Sequence, residues 1–437
     1  MNSIIENIND SLSCLDGPKY KLDELEEYYE KLQDNKEFNV NLVGINSIKN
    51  WGYDKDFNFA HDSKKFFSIK RVKYNKIENG IIHQPDIGVL GVLATQIGGI
   101  LHILVQFKEE PGNTNKAQLS PTIQATKSNY SKAHGGSLPP YWETFSSIPK
   151  DNFIVNSLQP EQGLRYWQKF NQNVIVETDF IEEIPGFKWM TLGQVLAFSK
   201  FDNSINSCLR SVLSLIPFNK EHENKKLSLE LDDLLSKSKK QYRNYGTLHN
   251  NIEKFYSKES DSFKFFSEDD LFSIQGVEVN IKNREVPSWS QPVIMESKNL
   301  YYVLLRFLNK NSISYLWKIT PEPGYVNGFV MGPSEIIKTE ESNLSKIKSQ
   351  LIKKYECYGN ISKVHTINMS EEGGRFWRVS VPHIIIDVNA ENTNLNNKDS
   401  LLVSKSDTNK LLSSQFMGME ARSIFLLSKS LENFYNE

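Results

Sequence analysis

The 437-residue chain repeats itself at nearly one spacing, and this repeat restricts its fold more than any other feature. The Glu-Pro-Gly segment at 110–112 returns 212 residues later at 322–324. Two further pairs of segments follow almost the same offset: 165–167 with 375–377, and 210–211 with 422–423. Three anchors in one order at nearly one offset indicate a tandem duplication. We therefore expect two similar halves.

Each half predicts the same order of elements: a β-hairpin, the Glu-Pro-Gly turn, a loop, a strand that ends in an acidic residue, and a helix. The first hairpin is predicted over 87–107 with its turn at Gly98-Gly99, because paired glycines favour tight turns. The second is predicted near 292–319 with its turn at 309–312. Hydrophobic runs predict the two strands and the first helix at 174–177, 384–387 and 191–217.

Between the halves, the charged and leucine-containing segment 219–260 predicts a helix or helical hairpin, with a solvated linker as the alternative. The Asn-rich segment 389–409 is predicted to be a loop. The predicted fold class is α+β, with two mixed α/β halves joined by a helical connector. Their predicted limits are 1–218, 219–280 and 281–437.

Composition excludes several functions. The chain has 51 basic and 53 acidic residues, so it lacks the excess positive charge typical of nucleic-acid binding. Cys14, Cys208 and Cys357 are far apart, which predicts neither a disulfide framework nor a zinc site. The N-terminus lacks the pattern of a signal peptide. The apolar run 87–107 is interrupted by polar residues and fits a hairpin better than a membrane span, so we expect a cytoplasmic protein.

Residues 109–136 carry many side chains that both donate and accept hydrogen bonds, as recognition of a polyol requires. Two titratable groups, Tyr130 and His134, stand beside them, followed by Gly135-Gly136, which would let a ligand approach the backbone. The alternative is a polar surface loop held by local hydrogen bonds, and composition does not decide between the two. The candidate side chains are Asn113, Asn115, Gln118, Thr122, Gln124, Ser128 and Asn129.

A second candidate cluster is the segment 162–167 and its copy 372–377, each with an arginine beside aromatic residues. A guanidinium binds phosphate oxygens at two points and an aromatic ring can stack on a nucleobase, so the cluster suits a nucleoside diphosphate. The alternative is a strand with core aromatics whose arginine pairs with Glu161 or Glu371, and the residues alone favour it. The candidates are Arg165, Tyr166, Trp167, Arg375 and Trp377.

The sequence has no phosphate-binding P-loop, no dinucleotide fingerprint, no HExxH and no GxSxG motif. No motif predicts a metal ion or a cofactor. A site of this kind works with acids, bases and oriented dipoles.

The string EPGNTNKAQLSPTIQATKSNYSKAHGG at 110–136, with EGGRFW at 372–377, resembles the NDP-hexose 2,3-dehydratase family. The resemblance extends to residues 51–72 and to both Arg-Ser segments, and so covers most of the chain. It implies two Nudix-like halves, a homodimer and loss of water across C2 and C3 of dTDP-4-keto-6-deoxyglucose. The diketone product is labile, so an NAD(P)H-dependent 3-ketoreductase is the expected partner.

For the chemistry, we expect His134 and Tyr130 to transfer protons and Gln124 and Asn129 to orient the sugar. Glu110 and Glu161 are rival bases, especially if burial raises a pKa. The two arginines would contact the diphosphate, with Trp167 or Tyr166 near the nucleotide. The expected substrate-binding set is Gln118, Thr122, Ser128, Asn129, Arg165, Tyr166, Trp167, Arg375 and Trp377.

The second half departs from the pattern, because its equivalent segment reads VMGPSEIIKTEESN and lacks the Thr, Gln and Tyr of the first. We therefore place catalysis in the first half, although the halves could complete each other's sites. Two other functions compete. A Nudix pyrophosphohydrolase needs a glutamate-rich helix, which the spacing does not provide. A nucleotide-sugar binding protein would bind without removing water.

Overall fold

The structure is a computed structural model that describes residues 2–34, 38–131, 138–218, 225–266, 271–281, 288–309, 312–389 and 399–434. His134 and its two following glycines lie outside these residues.

The first half begins with two helices that pack on a β-rich body. Its helices are α1 Asn2–Ser13, α2 Leu22–Gln33, α3 Lys127–Tyr130, α4 Trp142–Ser147, α5 Leu192–Ala197 and α6 Ser207–Leu213. Its strands are β1 Phe38–Val43, β2 Trp51–Tyr53, β3 Phe59–His61, β4 Ser68–Tyr74, β5 Ile77–His83, β6 Gly88–Ile97, β7 Ile100–Glu109, β8 Ala117–Ser120, β9 Ile123–Ala125, β10 Phe153–Pro160, β11 Phe170–Glu177 and β12 Phe187–Thr191.

The rest of the chain opens on one long helix and then repeats the pattern of strands. Its helices are α7 Lys225–Gln241, α8 Leu344–Tyr355, α9 Lys405–Ser413 and α10 Met419–Phe434. Its strands are β13 Thr247–His249, β14 Tyr256–Ser257, β15 Ser262–Phe266, β16 Leu271–Ile281, β17 Ser288–Glu296, β18 Asn299–Asn309, β19 Ser312–Pro321, β20 Phe329–Gly332, β21 Glu335–Thr339, β22 Asn360–Ser370, β23 Ser380–Asn389 and β24 Ser400–Ser404.

Each half contains a seven-stranded mixed sheet with the same topology. The first has the order β10-β11-β6-β7-β12, with β8 paired to β7 and β9 to β6. In the second, β22-β23-β18-β19 is followed by β20 and β24, both paired to β19, while β21 pairs with β18. In both, one central pair is parallel, β11 with β6 and β23 with β18. The two similar halves expected from the repeat are confirmed at this level.

The halves also pair with each other through strands of two smaller sheets. Strand β1 of the first half pairs with β16, with Val40 opposite Val279. Its counterpart β13 pairs with β4, with Leu248 opposite Val72. Each half therefore completes a sheet of the other, and neither is an independent module.

Reciprocal contacts join the two copies of the Arg-Ser segment in the core. The Nε of Arg210 donates to Ser423 Oγ at 2.6 Å, and the Nε of Arg422 donates to Ser211 Oγ at 3.0 Å. Each arginine also donates to a carbonyl of the opposite half, that of Ser370 for Arg210. All these groups are buried, so their hydrogen bonds fix the two halves relative to each other.

The predicted first hairpin is confirmed, since β6 and β7 meet at Gly98 and Gly99, whose φ angles of 58° and 81° suit a two-residue turn. The strands predicted at 174–177 and 384–387 lie within β11 and β23. The single helix predicted over 191–217 is wrong. Asn203 has φ 58°, and Asn206 caps a separate helix by accepting a bond from Leu209 N, so α5 and α6 are distinct.

Two other predictions differ from the structure. Within the described part of the connector predicted over 219–280, Lys225–Gln241 forms an α-helix, whereas strands occupy much of the chain from Thr247 onward. Alternate residues of these strands, such as Phe263 and Phe265, are buried, as half-buried strands require. The loop predicted over 389–409 contains β24 and the start of α9, because Leu401 and Val403 alternate into the core.

Candidate functional site

The main cleft lies where the two halves meet and has a volume of about 1090 Å³. The first half contributes the end of β7, strand β9 and the start of β11, and the second half contributes Glu372–Arg375 and strands β16 and β17. Its polar lining includes Gln84, Lys108, Glu110, Gln124, Ser128, Asn129, Glu161, Tyr166, Lys169, Asn171, Glu372 and Arg375. A cleft of this size, with converging polar groups, has the features of a small-molecule site.

The halves meet there because each Glu-Pro-Gly turn packs on the other half's arginine segment. Gly112 N donates to Gly373 O at 2.8 Å, and a Cβ on Gly112 would lie 1.7 Å from the carbonyl oxygen of Phe376. The second turn packs in the same way, with Gly324 N donating to Gly163 O at 2.8 Å. Only glycine permits this approach, and it brings Glu110 next to Glu372.

Gln124 links two carboxylates from opposite halves. Its Nε2 donates to Glu110 Oε1 at 3.0 Å and to Glu372 Oε1 at 3.2 Å. The hydroxyl of Tyr166 donates to the other oxygen of Glu372 at 3.2 Å, and Lys108 forms a 2.8 Å ion pair with Glu110. The cleft therefore holds two acids from different halves in one hydrogen-bonded group.

A third carboxylate, Glu161, accepts a hydrogen bond from Asn171 Nδ2. Burial, reinforced by the negative charge of Glu372, raises the pKa of Glu161 to about 7. Burial and the neighbouring Glu110 also raise the pKa of Glu372, while burial lowers the pKa of Lys169. Glu161 can therefore exchange a proton near neutral pH, as general acid–base groups do.

Arg375 enters the same cleft from the second half. Its guanidinium carbon lies 4.4 Å from the ring centroid of Phe67, and one terminal nitrogen donates to Gly374 O at 2.8 Å. Its Nε is buried and has no hydrogen-bond partner among the described residues. The group is available to bind an anion such as a diphosphate.

The equivalent position in the other half is filled by side chains. Arg165 forms a double hydrogen bond with Glu296, at 2.9 Å and 2.8 Å, and the hydroxyl of Tyr302 donates to Glu371 at 2.7 Å. Strand pairing places Ile336 opposite Tyr302, as Gln124 is opposite Leu90 in the first half. The side chains that give the first cleft its polar floor are thus replaced by bulky or ion-paired ones.

The structure brings some of the predicted side chains together and separates others. Thr122, Gln124, Ser128, Asn129, Tyr166 and Arg375 line the cleft. Asn129 Oδ1 also accepts bonds from Thr126 N and Oγ1, and Ser128 Oγ is hydrogen-bonded to Thr126 Oγ1, so both form part of a local cap.

Thr122 and Gln118 are held by hydrogen bonds within the protein. The Thr122 hydroxyl accepts a bond from Leu93 N at 3.1 Å and donates to Leu104 O. Ser334 makes the same two contacts in the second half, which indicates a structural task for this position. Gln118 is buried and donates to Ser370 Oγ at 2.7 Å.

Four other candidates are not among the residues that line the cleft. Trp167 and Trp377 pack against separate apolar clusters, and Arg165 is ion-paired in the second half's site. Tyr130 stacks on Trp142 with ring centroids 4.6 Å apart. Of the residues expected to bind substrate or transfer protons, His134 is outside the described residues.

Sequence reasoning missed Glu372, Lys169, Lys108 and Gln84. Glu372 lies in segment 372–377 of the second candidate cluster. Its place in the cleft follows only from the packing of the Glu-Pro-Gly turn on that segment. A signal was available in the sequence. Aligning the segments around Arg165 and Arg375 by the repeat offset would have shown that the two copies differ at neighbouring charged positions.

In the described ranges, no three His, Cys, Asp or Glu side chains are grouped closely enough to hold a metal ion. Among the described helices, none combines the length and apolar character needed to cross a bilayer.

Comparisons with known proteins give the family. The model of the family described as NDP-hexose 2,3-dehydratase matches residues 22–216 and again 243–427. A dTDP-4-dehydro-6-deoxy-alpha-D-glucopyranose 2,3-dehydratase from Saccharopolyspora spinosa is 30% identical over 90% of this chain and 88% of its own. One of the same name from Amycolatopsis orientalis is 29% identical over 86% and 84%.

A solved ADP compounds hydrolase is 11% identical and covers 38% of this chain and 90% of its own, with a TM-score of 0.27. The double match of the family model spans both halves that form the cleft. Because the family model matches both halves and the Saccharopolyspora spinosa relative is 30% identical over most of both sequences, this chain belongs to the NDP-hexose 2,3-dehydratase family.

Proposed function

We propose that the protein removes water across C2 and C3 of dTDP-4-keto-6-deoxyglucose, giving a 3,4-diketo-2,6-dideoxy sugar nucleotide for deoxysugar biosynthesis. The observation that carries this proposal is the group of three carboxylates, two with raised pKa values, beside an arginine that has no carboxylate partner in the described structure. The family and the names of its relatives supply the reaction.

The proton affinity of each group indicates its role in the reaction. The C4 ketone makes the C3 hydrogen acidic, because the charge that forms on its removal moves to the carbonyl oxygen. Glu161 is our candidate base, since a carboxylate with a pKa of about 7 accepts a proton better than an ordinary one. The Lys169 ammonium, which lines the same cleft, would stabilise the enolate oxygen.

The second step expels the C2 hydroxyl and leaves an enol that becomes the 3-ketone. Glu372 is our candidate acid, because burial and Glu110 favour its protonated form. Gln124 would hold the acid in position through its amide. Arg375 would bind the diphosphate. His134 with Tyr130 stays the alternative proton-transfer pair.

The family resemblance supports further proposals about the surroundings of the reaction. They are Nudix-like halves, a homodimer, a cytoplasmic location and an NAD(P)H-dependent 3-ketoreductase that consumes the labile diketone. Sizing by light scattering would test the homodimer directly.

The test incubates the purified protein with dTDP-4-keto-6-deoxyglucose, a 3-ketoreductase and NADPH, without added metal. We expect the product to lose one water and NADPH to be consumed only when the protein is present. Without turnover, a repeat in deuterated water separates two failures. Deuterium at C3 would show a working base with the wrong leaving group or sugar, and tight binding without exchange would favour a binding protein.

A further inference from the structure

Residues 84 and 296 occupy equivalent places in the two halves but differ in charge. Ile82 forms a parallel bridge to Tyr166, and Ile294 forms the same bridge to Phe376. Gln84 and Glu296 each follow two residues after these isoleucines, at or just beyond the end of β5 and β17. The repeat has therefore placed a neutral amide in one half where the other half has a carboxylate.

In the second half, the carboxylate neutralises an arginine. Glu296 forms a 2.8 Å ion pair with Arg165, and the two side chains are only 8% and 4% exposed. The guanidinium carbon of Arg165 also lies 4.0 Å from the ring centroid of Phe272. A guanidinium that is paired and stacked in this way cannot offer its fork to a ligand.

Arg375 has the same stacking partner without the carboxylate. It lies over Phe67 as Arg165 lies over Phe272, and it lines the cleft together with Gln84. Its Nε is buried without a hydrogen-bond partner among the described residues. Burying a charged donor without a partner is costly, so this arrangement favours an incoming anion.

We infer that Gln84 is a positioning residue, whose neutral amide leaves Arg375 free to bind the diphosphate of the substrate. The identity of the substrate in this inference rests on the proposed function, whereas the binding of an anion by Arg375 does not. The equivalent Glu296 reserves Arg165 for an internal ion pair. The residue at this position, Gln84 or Glu296, therefore determines whether the arginine of its site binds a ligand or an internal carboxylate.

Gln84→Glu is the direct test, with Gln84→Met as its neutral control of similar volume. We expect Q84E to weaken binding of dTDP and of inorganic pyrophosphate by about 10- to 100-fold in calorimetry, since close charge pairs couple strongly. Q84M should retain the affinity within about threefold. In turnover, Q84E should raise KM with little change in kcat.

Glu296→Gln is the matched control in the other half. It should lower the melting temperature by breaking the buried pair and leave pyrophosphate affinity unchanged. If Q84E is not obtained in folded form, Gln84→Asp repeats the test with a shorter carboxylate.

A double-mutant cycle without ligand separates this inference from the proposed function. Unfolding of wild type, Q84E, Arg375→Gln and the double variant should show that Q84E stabilises only when Arg375 is present. Absence of that coupling, or unchanged pyrophosphate affinity in Q84E, would overturn the inference. Coupling together with weakened anion binding supports it, even if the sugar nucleotide is not dehydrated.

Discussion

The hydroxyl of Tyr302 donates to Glu371 at 2.7 Å and fills the place that corresponds to the open cleft of the first half. Leu90, its counterpart in β6, lines that cleft and has no hydroxyl that could bond to Glu161. The two halves thus share a sheet topology, while hydrogen-bonded and ion-paired side chains occupy the equivalent place in the second half. This difference lies in side chains, and it directs the following predictions to the first half's cleft.

Glu161→Gln should lower kcat by about 10²- to 10⁴-fold, the usual contribution of a positioned base. Because the pKa of Glu161 is about 7 and a base must be deprotonated, wild-type kcat/KM should rise with pH through this value, and a fall at higher pH would report the general acid. The coupled NADPH assay across pH 5–9 measures both. A variant that keeps wild-type kcat and the same rising limb would exclude Glu161 as the base.

Arg375→Gln and Arg165→Gln form a matched pair at equivalent positions. We expect R375Q to raise KM for the nucleotide sugar at least about tenfold, because it removes a charge-assisted contact to the diphosphate. R165Q should leave KM unchanged and cost about 3–5 kcal/mol of unfolding free energy, because Glu296 is left buried and unpaired. Steady-state kinetics with urea denaturation compares them, and the opposite pattern would reverse the assignment of the two arginines.

Thr122→Val should reduce stability by about 1–3 kcal/mol, because Leu93 N and Leu104 O lose their buried partner. The same loss is expected for Ser334→Ala, its equivalent in the second half. Neither variant should change KM. Thermal unfolding and kinetics are the measurements, and a raised KM in T122V alone would restore Thr122 as a substrate contact.

Glu420→Gln should reduce the loss of stability between pH 5 and pH 8. Burial raises the pKa of Glu420 from 4.5 to about 7, so the folded state holds this proton more tightly than the unfolded state. Its stabilising effect is complete below pH 4.5 and disappears as the pH rises through 7, on the order of 2 kcal/mol. Unfolding of wild type and variant at both pH values measures the difference.

The exposed Glu143→Gln is the control for this experiment and should change neither value. Parallel pH dependences of wild type and E420Q would show that Glu420 does not contribute.

Much of the fold followed from short-range pattern. The first hairpin and the strands at 174–177 and 384–387 depend on local composition and turn residues. The repeat is read directly from matching segments of the sequence. The helix over 191–217 was wrong because Asn203 and Asn206 break it through backbone conformation and capping. The helical connector is confirmed only in part, at Lys225–Gln241, because Leu271–Ile281 pairs with the distant strand Phe38–Val43 and no local periodicity reports such pairing.

The sequence by itself determined the duplication, the family resemblance and the presence of Gln124, Glu161 and Arg375 among the candidates. Only the tertiary structure decided that Gln124 meets Glu372, 248 residues away, and that Arg165 and Arg375 have different partners. The physical reason is that each Glu-Pro-Gly turn packs on the arginine segment of the opposite half. Charges and cavities arise from such contacts, and a repeat offset alone cannot tell which copy remains open.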